Sequence, residues 1–261
     1  MTLVRHELRQ DRTAFLIWTA SVGCLLAVCV CLYPEMKGEM GDISDIFSSM
    51  GSFTAAFGMD RLNFGTLIGF YAVECGNVLG LGGAFFASLC GVGILSKEEK
   101  EGTAEFLLAH PVSRRRIITG KLIAVLAQVT AMNLIVYAVS VGVVAAVGEA
   151  VPWKEISLLH LACYLLQLEL AGICFGVSAF MRKGAAGVGL GIAAIMYFLN
   201  LAANIAESAG LLKYITPFGF SEGADIAAKG RLDGKLVFIG MVMGVTGIAA
   251  AYVKYGRKDI H

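Results

Sequence analysis

The sequence predicts an all-α membrane protein with six spanning helices, a short N-terminal helix at the inner interface and one short helix on the cytoplasmic side. Three observations carry this prediction. Apolar residues make up 57% of the chain and charged residues only 16%, with a mean hydropathy of +0.74, which is more than a soluble domain needs for its core. Uncharged apolar runs recur, each long enough for the ~20 helical residues that cross a bilayer. Lysine and arginine then collect in alternate connecting segments.

Taken in chain order, the segment "TLVRHELRQDR" sets basic and apolar positions at helical spacing. It suits an amphipathic helix along the inner surface and suits an ordinary charged helix end equally well. The first run, 13–33, follows Arg5, Arg9 and Arg12, the basic flank of a signal peptide. It is too long for a signal h-region and no small-x-small cleavage site follows, so a retained first helix is expected. Further runs cover 64–95, 117–147, 156–181, 184–205 and 236–255. The second and third pass thirty residues, or ~45 Å of helix, so each should project from the hydrocarbon or contain a break. Gly80, Gly82 and Gly83 place such a break in the second. The long segments 34–63 and 206–235 should hold short interfacial helices, and Thr216-Pro217-Phe218-Gly219 between apolar patches suits a short helix or re-entrant hairpin. A single membrane domain, 1–261, accounts for every element.

Orientation follows from the cations. With the N-terminus inside, the inner segments carry Arg5, Arg9, Arg12, Lys97, Lys100, Arg114, Arg115, Arg116, Lys121, Arg182, Lys183, Lys254, Arg257 and Lys258, fourteen of the 21. Both termini are therefore predicted to be cytoplasmic.

Several chemistries lack their motifs. There is no G-x-x-x-x-G-K-[ST] phosphate loop, no H-E-x-x-H and no G-x-S-x-G elbow. The four histidines are far apart, and Glu98-Glu99 lacks the following arginine and the later histidines of glutamate-dependent intramembrane proteases. The seven cysteines all lie in apolar runs, which indicates packing and neither a disulfide framework nor a metal site. No catalytic residue, metal or cofactor is expected in this chain, and no nucleic-acid partner.

Polar groups within the spans are costly, about 2.5–3.5 kcal/mol for a charge at the bilayer centre. Glu74 falls near the outer edge, whereas Glu169 falls close to the midplane. Glu169 must be protonated, hydrogen-bonded to a neighbour such as Gln128 or Asn133, or facing water. Asn133, Tyr137 and Ser140 share one face of the third span, and Asn200 and Asn204 one face of the fifth. Glu169, Asn133, Tyr137, Asn200 and Asn204 are thus candidates for a translocation path, though such stripes also glue helices together. Glycines four apart, Gly76/Gly80, Gly172/Gly176, Gly187/Gly191 and Gly240/Gly244, allow close helix approach.

The stretch "KEEKEGTAEFLLAHPVSRRRIITGK" stands apart. Charges begin abruptly after Leu95, and Glu101 and Glu105 precede Phe106, Leu107 and Leu108 in an amphipathic pattern. Pro111 then disfavours helix at His110, and Ser113 suits the N-cap of the next span. Arg114, Arg115, Arg116 and Lys121 mark re-entry through the anionic inner surface. A short helix over 98–109 is predicted.

The pattern E-G-T-x-E-x-L-L-x-x-P-V-S-R-x-x-I-x-x-G-K, from Glu101 to Lys121, resembles the first cytoplasmic loop of ABC type-2 transporter permeases. It looks closest to the branch holding bacitracin-exporter and nitrous-oxide-locus permeases. The resemblance implies an ABC type-2 exporter-like fold in which 98–109 is a coupling helix. Glu101, Thr103, Glu105, Leu107, Leu108, Pro111 and Arg114 would then meet a separate cytoplasmic ABC ATPase. It also implies two ATPase copies that bind ATP and Mg, a second permease chain, and a bacterial plasma membrane as the location. The alternative is an ion-coupled secondary transporter working through Glu169 and the polar helix faces.

Overall fold

The computed structural model describes residues 2–37, 51–97, 99, 102, 113–181 and 186–257. The predicted coupling helix at 98–109 therefore lies outside the described residues, apart from Glu99 and Gly102. Among the described residues there is no strand. The N-terminal helix is α1 (Thr2–Gln10). Six helices are long and apolar enough to cross a membrane: α2 (Arg12–Lys37), α4 (Leu67–Val92), α5 (Arg114–Ala146), α6 (Trp153–Phe180), α7 (Ala186–Ile205) and α9 (Gly234–Gly256). Among the described residues there are also two short α-helices, α3 (Ser52–Ala56) and α8 (Gly223–Lys229).

Each span begins and ends within four residues of its predicted bound, because the apolar runs end at sharp polar signals. Ser113 caps α5 by accepting from Arg116 N, Thr66 caps α4 by accepting from Gly69 N, and Asp233 caps α9 by accepting from Lys235 N and Leu236 N. These side chains satisfy amide donors that a helix start would otherwise leave open.

Helix α6 is the centre of the bundle, with 67% of its apolar window buried against 17% for α9 and 22% for α7. Glycine explains its closest contact. A Cβ on Gly172 would come within 2.6 Å of Gly244 O, and one on Gly176 within 2.6 Å of Gly247 O. The backbones of α6 and α9 therefore touch directly, as small-residue seams permit. Two of the four predicted glycine pairs build this seam. Gly187 and Gly191 of α7 meet nothing within 4 Å.

The predicted break in the second span is a change of winding. Helix α4 passes from α-helix (Leu67–Glu74) through a π-helical segment (Cys75–Leu81) back to α-helix (Gly82–Val92). A π turn widens the backbone spacing and leaves carbonyls poorly paired. Side chains of α6 take up that capacity: Gln167 Nε2 donates to Leu79 O at 3.2 Å, and Cys163 Sγ lies 4.0 Å from Cys75 O. Gly83 makes room, since a Cβ there would overlap the Gln167 amide.

At the end of the bundle opposite the termini, 206–235 forms short helical pieces that pack against the spans, the short-helix form of the two expected for this stretch. Two 3₁₀ segments, Glu207–Tyr214 and Pro217–Gly219, precede α8. Thr216 Oγ1 donates to Met196 O of α7 at 2.7 Å. Phe218 and Phe220 are each only 4% exposed and pack with Leu166 and Leu170 of α6 and Ala193 of α7.

Candidate functional site

Two regions concentrate polar chemistry. The first lies at the end of the bundle that holds α1 and the foot of α9, where the chain leaves α4 and returns to α5. The cations predict this end to be the inner side, and it is termed the inner base. Lys97 stands where the chain leaves and Arg114 where it returns. Lys121, one helical stretch above Arg114, has no exposed surface and lies 3.2 Å from Glu7 Oε1. Its ammonium also donates to Ile94 O at the foot of α4. Lys97 lies 3.6 Å from Glu7 Oε2 and 3.1 Å from Asp11 Oδ1. Glu7, 2% exposed, thus bridges the inner ends of the second and third spans. Leu3 seals the contact, because Gly120 leaves only 2.9 Å between its notional Cβ and Leu3 Cδ2. The foot of α4 is held from the other side too, with Leu95 N donating to the buried Ser178 Oγ of α6 at 2.9 Å. Arg114 Nη1 donates to Tyr255 O at 3.4 Å, and Thr119 Oγ1 and Tyr252 OH are 2.7 Å apart, which joins α5 to the foot of α9.

This base corrects two readings. Helix α1 buries an acid against the bundle while Arg5, His6, Leu8 and Arg9 face outward, so it is a docked clamp and not a helix end. Lys121 does not mark re-entry through the anionic surface. It is enclosed, and Glu7 offsets the desolvation of its charge. Of the predicted ATPase-contacting residues, Arg114 is placed at this base. Glu101, Thr103, Glu105, Leu107, Leu108 and Pro111 lie outside the described residues.

The second region is the set of buried polar groups, which the structure divides among three places. Asn133 Nδ2 donates to Gln167 Oε1 at 2.7 Å and to Val129 O at 2.9 Å. Tyr137 OH meets Ser157 Oγ at 2.9 Å, and its ring stands edge-on to His160 at 5.1 Å. His160 Nε2 in turn pairs with Tyr71 OH at 2.6 Å. The predicted stripe on α5 exists: Asn133 Nδ2 and Tyr137 OH are engaged with α6, while the buried Ser140 Oγ and Asn133 Oδ1 have no hydrogen-bond partner among the described residues. Asn200 and Asn204 lie farther out, where their Nδ2 atoms donate to Glu222 Oε2 at 3.1 and 2.8 Å. Asn204 also donates to Ala56 O at 3.0 Å, tying α7 to α3.

Glu169 stands by itself. It is 1% exposed, and neither carboxylate oxygen has a hydrogen-bond partner among the described residues. Neither Gln128 nor Asn133 reaches it. Asn133 faces Gln167, and Gln128 Oε1 faces Cys90 Sγ at 3.9 Å. The carboxylate instead rests on Gly240 of α9, where any Cβ would overlap Oε2, and a Cβ there would lie 2.9 Å from the Phe220 ring. Glu169 is thus roofed by Phe220 at the α6–α9 crossing. By helical rise it lies roughly 9 Å below the start of α9 and about 16 Å above the end of α6.

A family model described as ABC-2 family transporter protein matches residues 1–260. The chain belongs to the ABC-2 transporter family. Comparison with curated proteins gives no match. The protein is accordingly a multi-pass permease subunit of an ABC transporter, a transport component and not itself an ATPase.

The sequence reading passed over Glu7, Gln167 and Glu222. A signal for Glu7 was present, since an acid in a segment where basic residues are expected has to find a cation. Gln167 and Glu222 gave no such signal. Their partners are a π-helical carbonyl and two asparagines of another span, which appear only once the helices are packed.

Proposed function

We propose that this ABC-2 permease is the membrane subunit of an exporter of the bacitracin-exporter and nitrous-oxide-locus branch, working in a bacterial plasma membrane with both termini cytoplasmic. Segment 98–109 is its coupling helix, docked on a cytoplasmic ATPase that binds ATP and Mg. Two ATPases and two permease chains make up the working unit. One observation supports this reading above the others: Glu7 joins Lys97 and Lys121, at 3.6 and 3.2 Å, on the two spans that flank the segment. Displacement of 98–109 then moves α4 and α5 together and is not lost in independent bending. Family membership disfavours the ion-coupled secondary transporter, which would need no ATPase.

The test is affinity purification of the tagged permease from native membranes, for the natural chain and for Leu108→Asp. The natural chain should retain an ABC ATPase, and ATP hydrolysis should accompany it. Leu108→Asp should insert at normal levels and retain less than about a tenth as much, since a buried charge without a partner costs several kcal/mol. Equal retention by the two proteins would remove the docking role from this segment.

A further inference from the structure

A cavity of about 330 Å³ opens at the inner base between α2, α4 and α5. That volume lies at the lower end of ordinary ligand pockets. Its mouth carries opposite charges, Asp11 and Lys97, which are 3.1 Å apart, and its walls include Trp18, Phe86 and Leu89. Gln128 also lines it, although the residue is only 4% exposed, and its Nε2 is a buried donor with no partner among the described residues. A buried amide donor left open costs about 1–3 kcal/mol. An occupant that is purely hydrocarbon would leave that cost in place.

The spacing narrows the occupant further. Gln128 is seven residues above Lys121, or roughly 10 Å by helical rise, and Lys121 reaches Ile94 O beside the cavity mouth. An acceptor for Gln128 therefore belongs about 10 Å above a charged group at the mouth, with apolar substance beyond it against Phe86 and Trp18. A glycerolipid has this order of groups: a charged head, an ester carbonyl, then an alkyl chain. Because the mouth offers both signs of charge, the head should carry both as well.

We propose that this cavity binds one inner-leaflet phospholipid with a zwitterionic, amine-bearing headgroup. The amine meets Asp11, the phosphate meets Lys97, an ester carbonyl accepts from Gln128 Nε2, and the start of an acyl chain lies against Trp18 and Phe86. Only the choice of leaflet rests on the orientation proposed above. Equilibrium binding without ATP or an ATPase tests the site separately from that reading.

The chain has two tryptophans, so Trp153→Phe leaves Trp18 as the sole reporter. This variant, in nanodiscs of unlabelled phosphatidylglycerol, which lacks the amine, is titrated with phosphatidylethanolamine brominated near the top of its chain. The expected result is a saturable quenching component above the linear background of ordinary bilayer contact. An equally brominated diacylglycerol, which has the chains without the charges, should give the background alone. Gln128→Leu should weaken the saturable component about three- to tenfold, in line with one lost hydrogen bond. A Cβ at Gly93 meets nothing within 4 Å and the residue lines the cavity, so Gly93→Leu should fill it and abolish saturation. If Gly93→Leu does not fold, Cys90→Leu obstructs the same wall. Purely linear quenching in the parent overturns the proposal whatever the variants do. Saturation that survives obstruction of the cavity, or that the diacylglycerol reproduces, overturns it as well.

Discussion

Removing the Glu7–Lys121 pair tests both the architecture of the inner base and its mechanical role. Glu7 is 2% exposed and Lys121 0%, with 3.2 Å between the charged atoms, so solvent screens the pair little. Losing one partner of a buried pair destabilises by about 3–5 kcal/mol, whereas replacing both with apolar groups of similar volume is often neutral. Lys97 remains 3.6 Å from Glu7 Oε2, so part of the carboxylate's compensation survives in Lys121→Met, which should fall near the lower figure. Glu7→Leu should cost more, because it removes the acid that serves both lysines. The double variant Glu7→Leu/Lys121→Met should recover part of the loss, giving a coupling of about 1–3 kcal/mol. Denaturant unfolding of the four purified permeases in one detergent measures the cycle. Limited proteolysis within residues 2–10 reports whether α1 stays docked. Additive losses, with a coupling below about 0.5 kcal/mol, would show that the two groups are neighbours without being partners. In that case the clamp could not join α4 to α5, and the mechanical part of the proposed coupling would fail.

Other consequences are open to the same kind of measurement. Gly172→Ala places a methyl 2.6 Å from Gly244 O, and backbone cannot yield as a side-chain tip can, so a loss of about 1–3 kcal/mol is expected. Gly191→Ala, which faces open space, should stay within about 0.5 kcal/mol of the parent; equal effects at both sites would contradict the seam. Glu169→Gln keeps the shape and removes a chargeable group whose oxygens have no described partner, so the unfolding midpoint should hold or rise. ATP-driven transport should nonetheless drop at least tenfold if Glu169 lines the path, and unchanged transport would make it a packing residue.

The membrane spans were legible in the sequence because apolar length and end-capping chemistry are local properties. Ser113, Thr66 and Asp233 mark helix starts whatever surrounds them. The short helical pieces around 216–220 were legible for a related reason: Thr216-Pro217 sets a turn, and the aromatics after it need burial. The partners of buried polar groups were not legible. Asn133 and Tyr137 were rightly placed on one face, but nothing local shows that Gln167 and Ser157 would meet them and engage their polar atoms. Glu169 was singled out for its depth along the span, and it is enclosed at 1% exposure. Its neighbours are Phe220 and Gly240, and no spacing rule joins those three positions. Helix α1 was legible as a helix, but its docked face was not, because its most enclosed residue is the acid Glu7.

The π-helical segment gives the inner base a route into the bundle. Below it, Gly82–Val92 ends at a foot held by Lys121, Ser178 and the Glu7 clamp. Above it, Leu67–Glu74 is packed against α8, where a Cβ on Gly223 would overlap Ala72 O. The two halves of α4 are thus held by different neighbours, and the segment between them is the part whose backbone hydrogen bonds are least regular. Gln167 spans that segment, donating to Leu79 O and accepting from Asn133 Nδ2. The α4 foot is gripped by α1, α5 and α6. The π turns join that foot to the Gln167 amide, which contacts α5 and belongs to the middle of α6. Glu169 lies two residues farther along α6, under the Phe220 roof. Inner base and outer roof are accordingly connected through one helix and one amide.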